Sequence, residues 1–438
     1  MKSRILMFSI VLGLIPSAVC LAQGNNVRNI FFDTIGGGFQ PTKIGVDNMQ
    51  YIGDQYITAA DSTLMQFTTR IVQNDVEFYA DFELVPVDTF YLRVYEIAEL
   101  DILGWQRLGA AYVVKLDAEF PGPNLRVRWR LFDTARNQQI AKGNLEQVKS
   151  QWRELGHDVA NELVRTLTGE AGIFRTRILY MKRVGDGKEL FMADYDGANE
   201  KQLTKTATIN ISPIFSPDGQ TVYFVSFLKG DPQLFKVDVG GGKMSQVTNF
   251  AGMAAAPAVS PDGNKIACVL TKDGNSEIYV LDLDGRVIKR LTDHRAIDTS
   301  PTWSPDGRLI AFSSDRAGHP QVYIMDADGF NVRRLTYEGG YNDSPVWSAR
   351  SDRITFVSRT KSGRFDIASI DTSGHDYRIL TEVGMNENPH FSPDGKHIIF
   401  SSSRLGPIDV YMMDITGRSQ RRVTQSGGCS NPIWGPLR

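Results

Sequence analysis

The residues able to do chemistry here are six histidines, three cysteines and two recurring sets of aspartates. Their spacing assembles no familiar catalytic set. His157, His294, His319, His375, His390 and His397 are scattered, with no H-E-x-x-H among them, and no C-x-x-C pair occurs. There is no G-x-S-x-G elbow to present a nucleophilic serine. The glycine runs Gly36–Gly38 and Gly240–Gly242 fit neither a dinucleotide fingerprint nor a phosphate loop. Asp218, Asp262, Asp306 and Asp394, and again Asp238, Asp282, Asp326 and Asp414, lie in turn motifs, where a carboxylate caps its own backbone. No catalytic residue, cofactor or metal is therefore expected.

What the sequence offers is surface. The segments before six regularly spaced prolines carry apolar residues that solvent loops usually lack: Ile209, Ile211, Phe250, Met253, Ile297, Tyr337, Tyr341 and Met385. His294, Arg295, Asp298, Glu338, Asp343 and Glu387 accompany them. An apolar cluster with a charged rim suits a protein-binding face. The alternative is that these residues plug the mouth of a channel. A second candidate is Val27-Arg-Asn-Ile-Phe-Phe-Asp33, β-prone and followed by Gly36-Gly-Gly38, which makes it easy to detach.

The elements that must position these residues form a repeat array. Pro213, Pro257, Pro301, Pro345, Pro389 and Pro432 recur every 44 residues, the last after 43. Ser-Pro-Asp-Gly follows four of them and predicts a tight turn. Next come a β-rich run such as Val222–Val225, an alternating strand ending in aspartate such as Ile278–Asp282, and a short strand ending in Leu-Thr or Val-Thr. Four short strands in such a period describe a propeller blade. The last copy supplies only a first strand, and 176–204 supplies the other three. Pairing the two ends closes a six-bladed ring and hides its edge strands. All pre-proline segments then project from one face around the central channel. Trp303, Trp347 and Trp434 share one repeat position and are expected to pack between blades.

Residues 34–170 lack the repeat and read as an α/β domain, placed before an all-β propeller over 173–438. Gln55–Val72 has helical spacing, with Ile57, Ala60, Leu64, Phe67 and Ile71 on one face. Tyr112–Val114 and Leu125–Leu131 read as strands, the second strictly alternating. Gln151–Leu167 is amphipathic along Trp152, Leu155, Val159, Leu163 and Leu167, and Thr168-Gly169 ends it.

Lys2 and Arg4, an apolar run from Ile5 to Ile15, Pro16 and then small residues form the layout of a cleaved export signal over 1–22. Cleavage after Ala22 fits the small-x-small rule. A lipoprotein signal would be cut before Cys20, which Val19 disfavours, and an uncleaved anchor would need a longer apolar run. The net charge of −2 argues against nucleic-acid binding. No later apolar run is long enough to span a bilayer. Cys268 and Cys429 are expected as buried thiols, with a disulfide left open.

The signal, the domain order, the P-x-W-S-P-D-G repeats, the Leu167–Ile178 junction and the terminal Pro-Ile-Trp-Gly-Pro together resemble the TolB family of the Gram-negative Tol–Pal envelope system. That resemblance implies a periplasmic, non-enzymatic and monomeric interaction protein that supports outer-membrane integrity and constriction at cell division. It implies that the propeller face binds the peptidoglycan-associated lipoprotein, Pal, and through it associates with the outer membrane. Met253, Ala256 and Thr299 stand where the family's loops matter. The implied Pal face comprises Phe250, Met253, Ala256, His294, Arg295, Asp298, Thr299, Tyr341, Asp343, Met385 and Glu387. It implies that residues 23–33, through Val27, Arg28, Ile30, Phe31, Phe32 and Asp33, add a strand to TolA by β-augmentation. The competing expectation is an enzyme or carbohydrate-binding module that uses the channel, which would need converging histidines or carboxylates there.

Overall fold

The computed structural model describes residues 40–54, 56–86, 101–350 and 352–437. The expected export signal and the 23–33 segment lie outside them.

The N-terminal unit is a mixed sheet backed by helices. Its strands are β1 (Thr42–Val46), β2 (Gln50–Tyr51), β3 (Phe82–Leu84), β4 (Tyr112–Glu119), β5 (Asn124–Asp133) and β6 (Gln138–Val148), in the order β3-β1-β4-β5-β6 with β2 also on β4. Alternation along β5 buries Leu125, Val127, Trp129 and Leu131 against the helices, as expected. The helices are α1 (Ala59–Phe78), the short α2 (Ile102–Arg107) and α3 (Trp152–Thr168). α3 buries the anticipated stripe, with Trp152 only partly covered, and ends at Gly169, whose φ of 77° suits glycine.

α1 departs from the sequence reading. It starts later, at a capping box in which Thr58 and Asp61 exchange hydrogen bonds, and runs on to Phe78. Its buried residues are Asp61, Met65, Thr68, Thr69, Ile71, Val72, Asp75, Val76 and Phe78, so Ile71 of the expected stripe is buried while Phe67 is exposed. Four of those nine positions, Asp61, Thr68, Thr69 and Asp75, are polar. Thr68 and Thr69 donate to the carbonyls of Leu64 and Met65, and Asp75 finds a buried histidine. Satisfied polar residues can face a core, and a count of apolar positions wrongly places Ala60 and Phe67 on the buried face.

The rest of the chain is six four-stranded antiparallel sheets. The closing blade joins β7 (Arg177–Val184), β8 (Gly187–Asp194) and β9 (Lys201–Gln202) to the C-terminal strand Cys429–Trp434, in register Trp434 with Ile178. Blades two to six span 210–246, 254–290, 298–334, 342–379 and 386–422. Each innermost strand carries its proline at a bulge. The residue before it (Ser212, Ala256, Ser300, Ser344, Asn388 and Asn431) has φ between 47° and 56°. These six left-handed residues shape the channel wall.

Neighbouring blades lock through their outer turns. Gly285, at φ 82°, leaves no room for a side chain: a Cβ there would fall 2.1 Å from the Val247 carbonyl oxygen of the preceding blade. Trp303 donates from Nε1 to the Ala258 carbonyl at 3.0 Å, and Trp434 to Thr176 Oγ1 at 2.9 Å. The Trp303 bond crosses to the preceding blade, whereas the Trp434 bond stays within the closing blade, to the residue just before β7. Cys268 and Cys429 are buried free thiols.

The α/β unit sits on the face formed by the Ser-Pro-Asp-Gly-type turns. Lys396 pairs with Asp81 and with Glu170, and Arg350 reaches Glu170 at 3.0 Å. The Phe78 ring stacks on His397 with centroids 4.3 Å apart, and the Arg421 guanidinium lies 3.6 Å over its face. Beneath them the Asp75 carboxylate meets His157 Nδ1 at 2.7 Å and accepts from the Tyr195 hydroxyl. An acid of α1, a histidine of α3 and a tyrosine of the closing blade thus meet in one buried cluster.

Candidate functional site

The opposite face of the ring carries the pre-proline segments. A repeated polar device holds them in place. The third strand of each blade begins with a buried acceptor: Glu189, Gln233, Glu277, Gln321, Asp366 or Asp409. The Thr of the Leu-Thr or Val-Thr pair donates to it at 2.6 to 3.0 Å in every blade. The same hydroxyl accepts from the next backbone N–H of that strand, as from Leu190, Leu234, Ile278, Val322, Ile367 and Val410.

The acceptor's remaining capacity turns to the loop. Glu189 takes the N–H groups of Thr206 and Ala207, each at 2.7 Å. Gln233 takes that of Phe250, Glu277 that of His294 and Asp409 that of Gly427. In blades two, five and six the Asn210, Asn342 and Asn386 amides bond to the acceptor of the preceding blade. Buried polar groups must be satisfied, so each loop is held in one shape. Sequence reading missed this device. Its signal is a Thr standing fifteen residues after a polar residue that opens a strand.

The turns after each second strand join this face. Phe227 donates to the Ile209 carbonyl, Thr271 to Met253, Arg359 to Tyr341 and Ser403 to Met385, at 3.0 to 3.1 Å. They add Leu228, Leu405 and Ile408, all exposed. These three also escaped the sequence reading, because they lie outside the pre-proline segments.

The candidate residues spread over blades three to six and the loops that lead into them. Ile297, Tyr337 and Met385 are exposed, Tyr337 by 73%. His294 and Arg295 are exposed as well. Met253 is half-buried, its N–H bonded to Thr271 Oγ1 at 2.8 Å. Phe250 packs into the core between blades two and three. Tyr341 donates to Asp343 Oδ2 at 3.0 Å, and its ring meets Phe365 edge-on. Thr299 and Glu387 are half-buried on innermost strands, and Ala256 lies deeper, on the channel wall.

Asp298 requires a correction. Expected on the charged rim, it is fully buried and binds the Arg316 guanidinium through both oxygens, at 2.9 and 2.7 Å. It opens an innermost strand, where the other blades place Asn, Ala or Cys, and a carboxylate there demands a cation. The six residues expected to contact TolA, Val27, Arg28, Ile30, Phe31, Phe32 and Asp33, lie outside the described residues.

The channel is narrow, with a cavity of about 160 Å³ walled by the six prolines and their neighbours. Among the described wall residues only His390 titrates, and burial pushes its imidazole down to about 4 against the pull of the Phe391 carbonyl. Among the described residues no pair of carboxylates or histidines lines the channel.

Fold and face together define a two-domain β-propeller protein, covered on its turn side by an α/β unit and presenting braced, partly apolar loops on the other. Two family models match it: the TolB beta propeller domain over residues 164–438 and the TolB amino-terminal domain over 33–140. The chain belongs to the TolB family. It is 36% identical over 170 residues to the Tol-Pal system protein TolB of Nitrosomonas europaea, across 39% of this chain and 40% of that protein. It is 32% identical over 227 residues to that of Cereibacter sphaeroides, across 50% and 49%. These alignments thus span half or less of either relative. The crystal structure of TolB from Acinetobacter baumannii superposes with a TM-score of 0.80 at 28% identity, covering 91% of this chain and 97% of that one.

Proposed function

We propose that this chain is a periplasmic interaction protein of the Tol–Pal system, binding Pal through the loop face and TolA through residues 23–33. In this role it supports outer-membrane integrity and constriction during division. The observation that carries the reading is the asymmetry of the ring. One face is occupied by the α/β unit, while the other presents Ile209, Ile297, Tyr337, Val383 and Met385 to solvent. Exposed apolar side chains on a braced frame suit a partner that docks without reshaping the loops. The channel reading lacks the converging groups it requires.

The test is calorimetric titration of residues 23–438 with the soluble domain of the same bacterium's Pal. One-to-one binding is expected, weakened at least about tenfold by Ile297→Asp or Met385→Glu, which place a charge in an apolar contact. Deleting 23–33 should abolish TolA binding and leave the melting temperature unchanged. Absence of Pal binding by the folded chain would overturn the assignment.

A further inference from the structure

A cleft of about 390 Å³ opens where α3, the closing blade and blade two meet. Glu154 and His157 of α3 line it, together with Arg175, Arg177 and Lys201. His157 is only 3% exposed. Its Nδ1 is committed to Asp75, which fixes the ring and turns Nε2 the other way. That Nε2 is buried and has no hydrogen-bond partner. Burial disfavours the imidazolium, but the Asp75 carboxylate outweighs it and raises the group above an ordinary histidine. Asp75 thus favours the protonated ring, the form in which Nε2 is a donor.

The lining cations are also under-used. Among the described residues Arg177 meets only the Met192 sulfur, at 3.8 Å, and Lys201 only the Val239 carbonyl, at 3.5 Å. Arg175 leans on Asp158 at 3.6 Å. Two acids, Glu154 and Asp194, also line the cleft, Asp194 accepting from Asn199 at 2.7 Å, so three cations face two carboxylates there. Unsatisfied donors and cations in a concave site recognise oxyanions.

We propose that this cleft binds a small multiply charged organic oxyanion, with one acid group bridging His157 Nε2 and the Arg177–Lys201 pair. Its walls come from both domains, so a bound anion also ties α3 to the ring.

The test titrates residues 23–438 with citrate and, separately, with pyrophosphate, at matched ionic strength. The two arms distinguish a carboxylate ligand from a phosphate one. Saturable one-to-one binding of at least one anion is expected. Arg177→Gln and Lys201→Gln should each weaken it about tenfold. Lys229→Gln, on the far loop face, should leave it unchanged. The His157 imidazole resonances of the unmutated protein should shift with occupancy. No saturable binding of either anion, equal weakening in Lys229→Gln, or unmoved His157 resonances at saturation would overturn the proposal.

Discussion

Thr292 shows how one hydroxyl couples two strands and a loop. It donates to the buried Glu277 carboxylate at 2.6 Å and accepts from Ile278 N–H at 2.9 Å, while Glu277 also takes His294 N–H at 3.0 Å. Thr248 does the same work with a neutral partner, Gln233. Bonds to charged groups are stronger, and a buried carboxylate left short of a donor is costly. Thr292→Val is therefore expected to cost about 2–4 kcal/mol and Thr248→Val about 1–2 kcal/mol, read from urea unfolding; equal losses would contradict this account of the acceptors. His390 gives a pH signature. Its folded value near 4 lies below the ordinary 6.5, so between those values the unfolded chain binds the extra proton. Stability must then fall as pH drops from 6.5 towards 4, by about 1.4 kcal/mol per pH unit from this group. His390→Gln should lack that component of the slope when denaturant midpoints are compared across the window. The Leu-Thr pairs were visible in the sequence as strand ends. Their hydroxyl chemistry was not, because it depends on a partner fifteen residues away that only the blade's curl brings near.

At the scale of elements, the closing strand holds the two ends of the ring together. Trp434 is 3% exposed, bonded to Thr176 and packed near Phe78 and His397 at the domain junction. Trp303 is half-buried at the same repeat position. Trp434→Ala should cost about 3–5 kcal/mol and Trp303→Ala clearly less, by denaturant titration. Similar costs would mean that the closing blade is no more constrained than the others. Proline spacing made the blades and their closure legible, since each Pro fixes a bulge and each Asp-x-Gly a turn. The face of α1 was not legible. Thr68 and Thr69 are satisfied within the helix by the Leu64 and Met65 carbonyls, while Asp75 is buried by virtue of a partner on another helix that no local pattern reveals. Asp298 was misplaced for the same reason: its cation, Arg316, lies eighteen residues on.

For the whole molecule, the account rests on two unlike faces. The turn face is occupied: ion pairs of Lys396 and Arg350, the Phe78–His397 stack and the Asp75–His157–Tyr195 cluster fasten the α/β unit there. The loop face is braced from beneath by six buried acceptors and presents apolar side chains outward. A rigid face loses little conformational entropy on docking, so the loops should bind in the shape they already hold. The direct measurement is amide hydrogen exchange of residues 23–438 with and without saturating Pal domain. The account predicts slowed exchange at 207–211, 250–254, 294–299, 337–343 and 382–387, with the turns containing Lys396 and Arg350 unchanged. Protection confined to the turn face or to the α/β unit would contradict it.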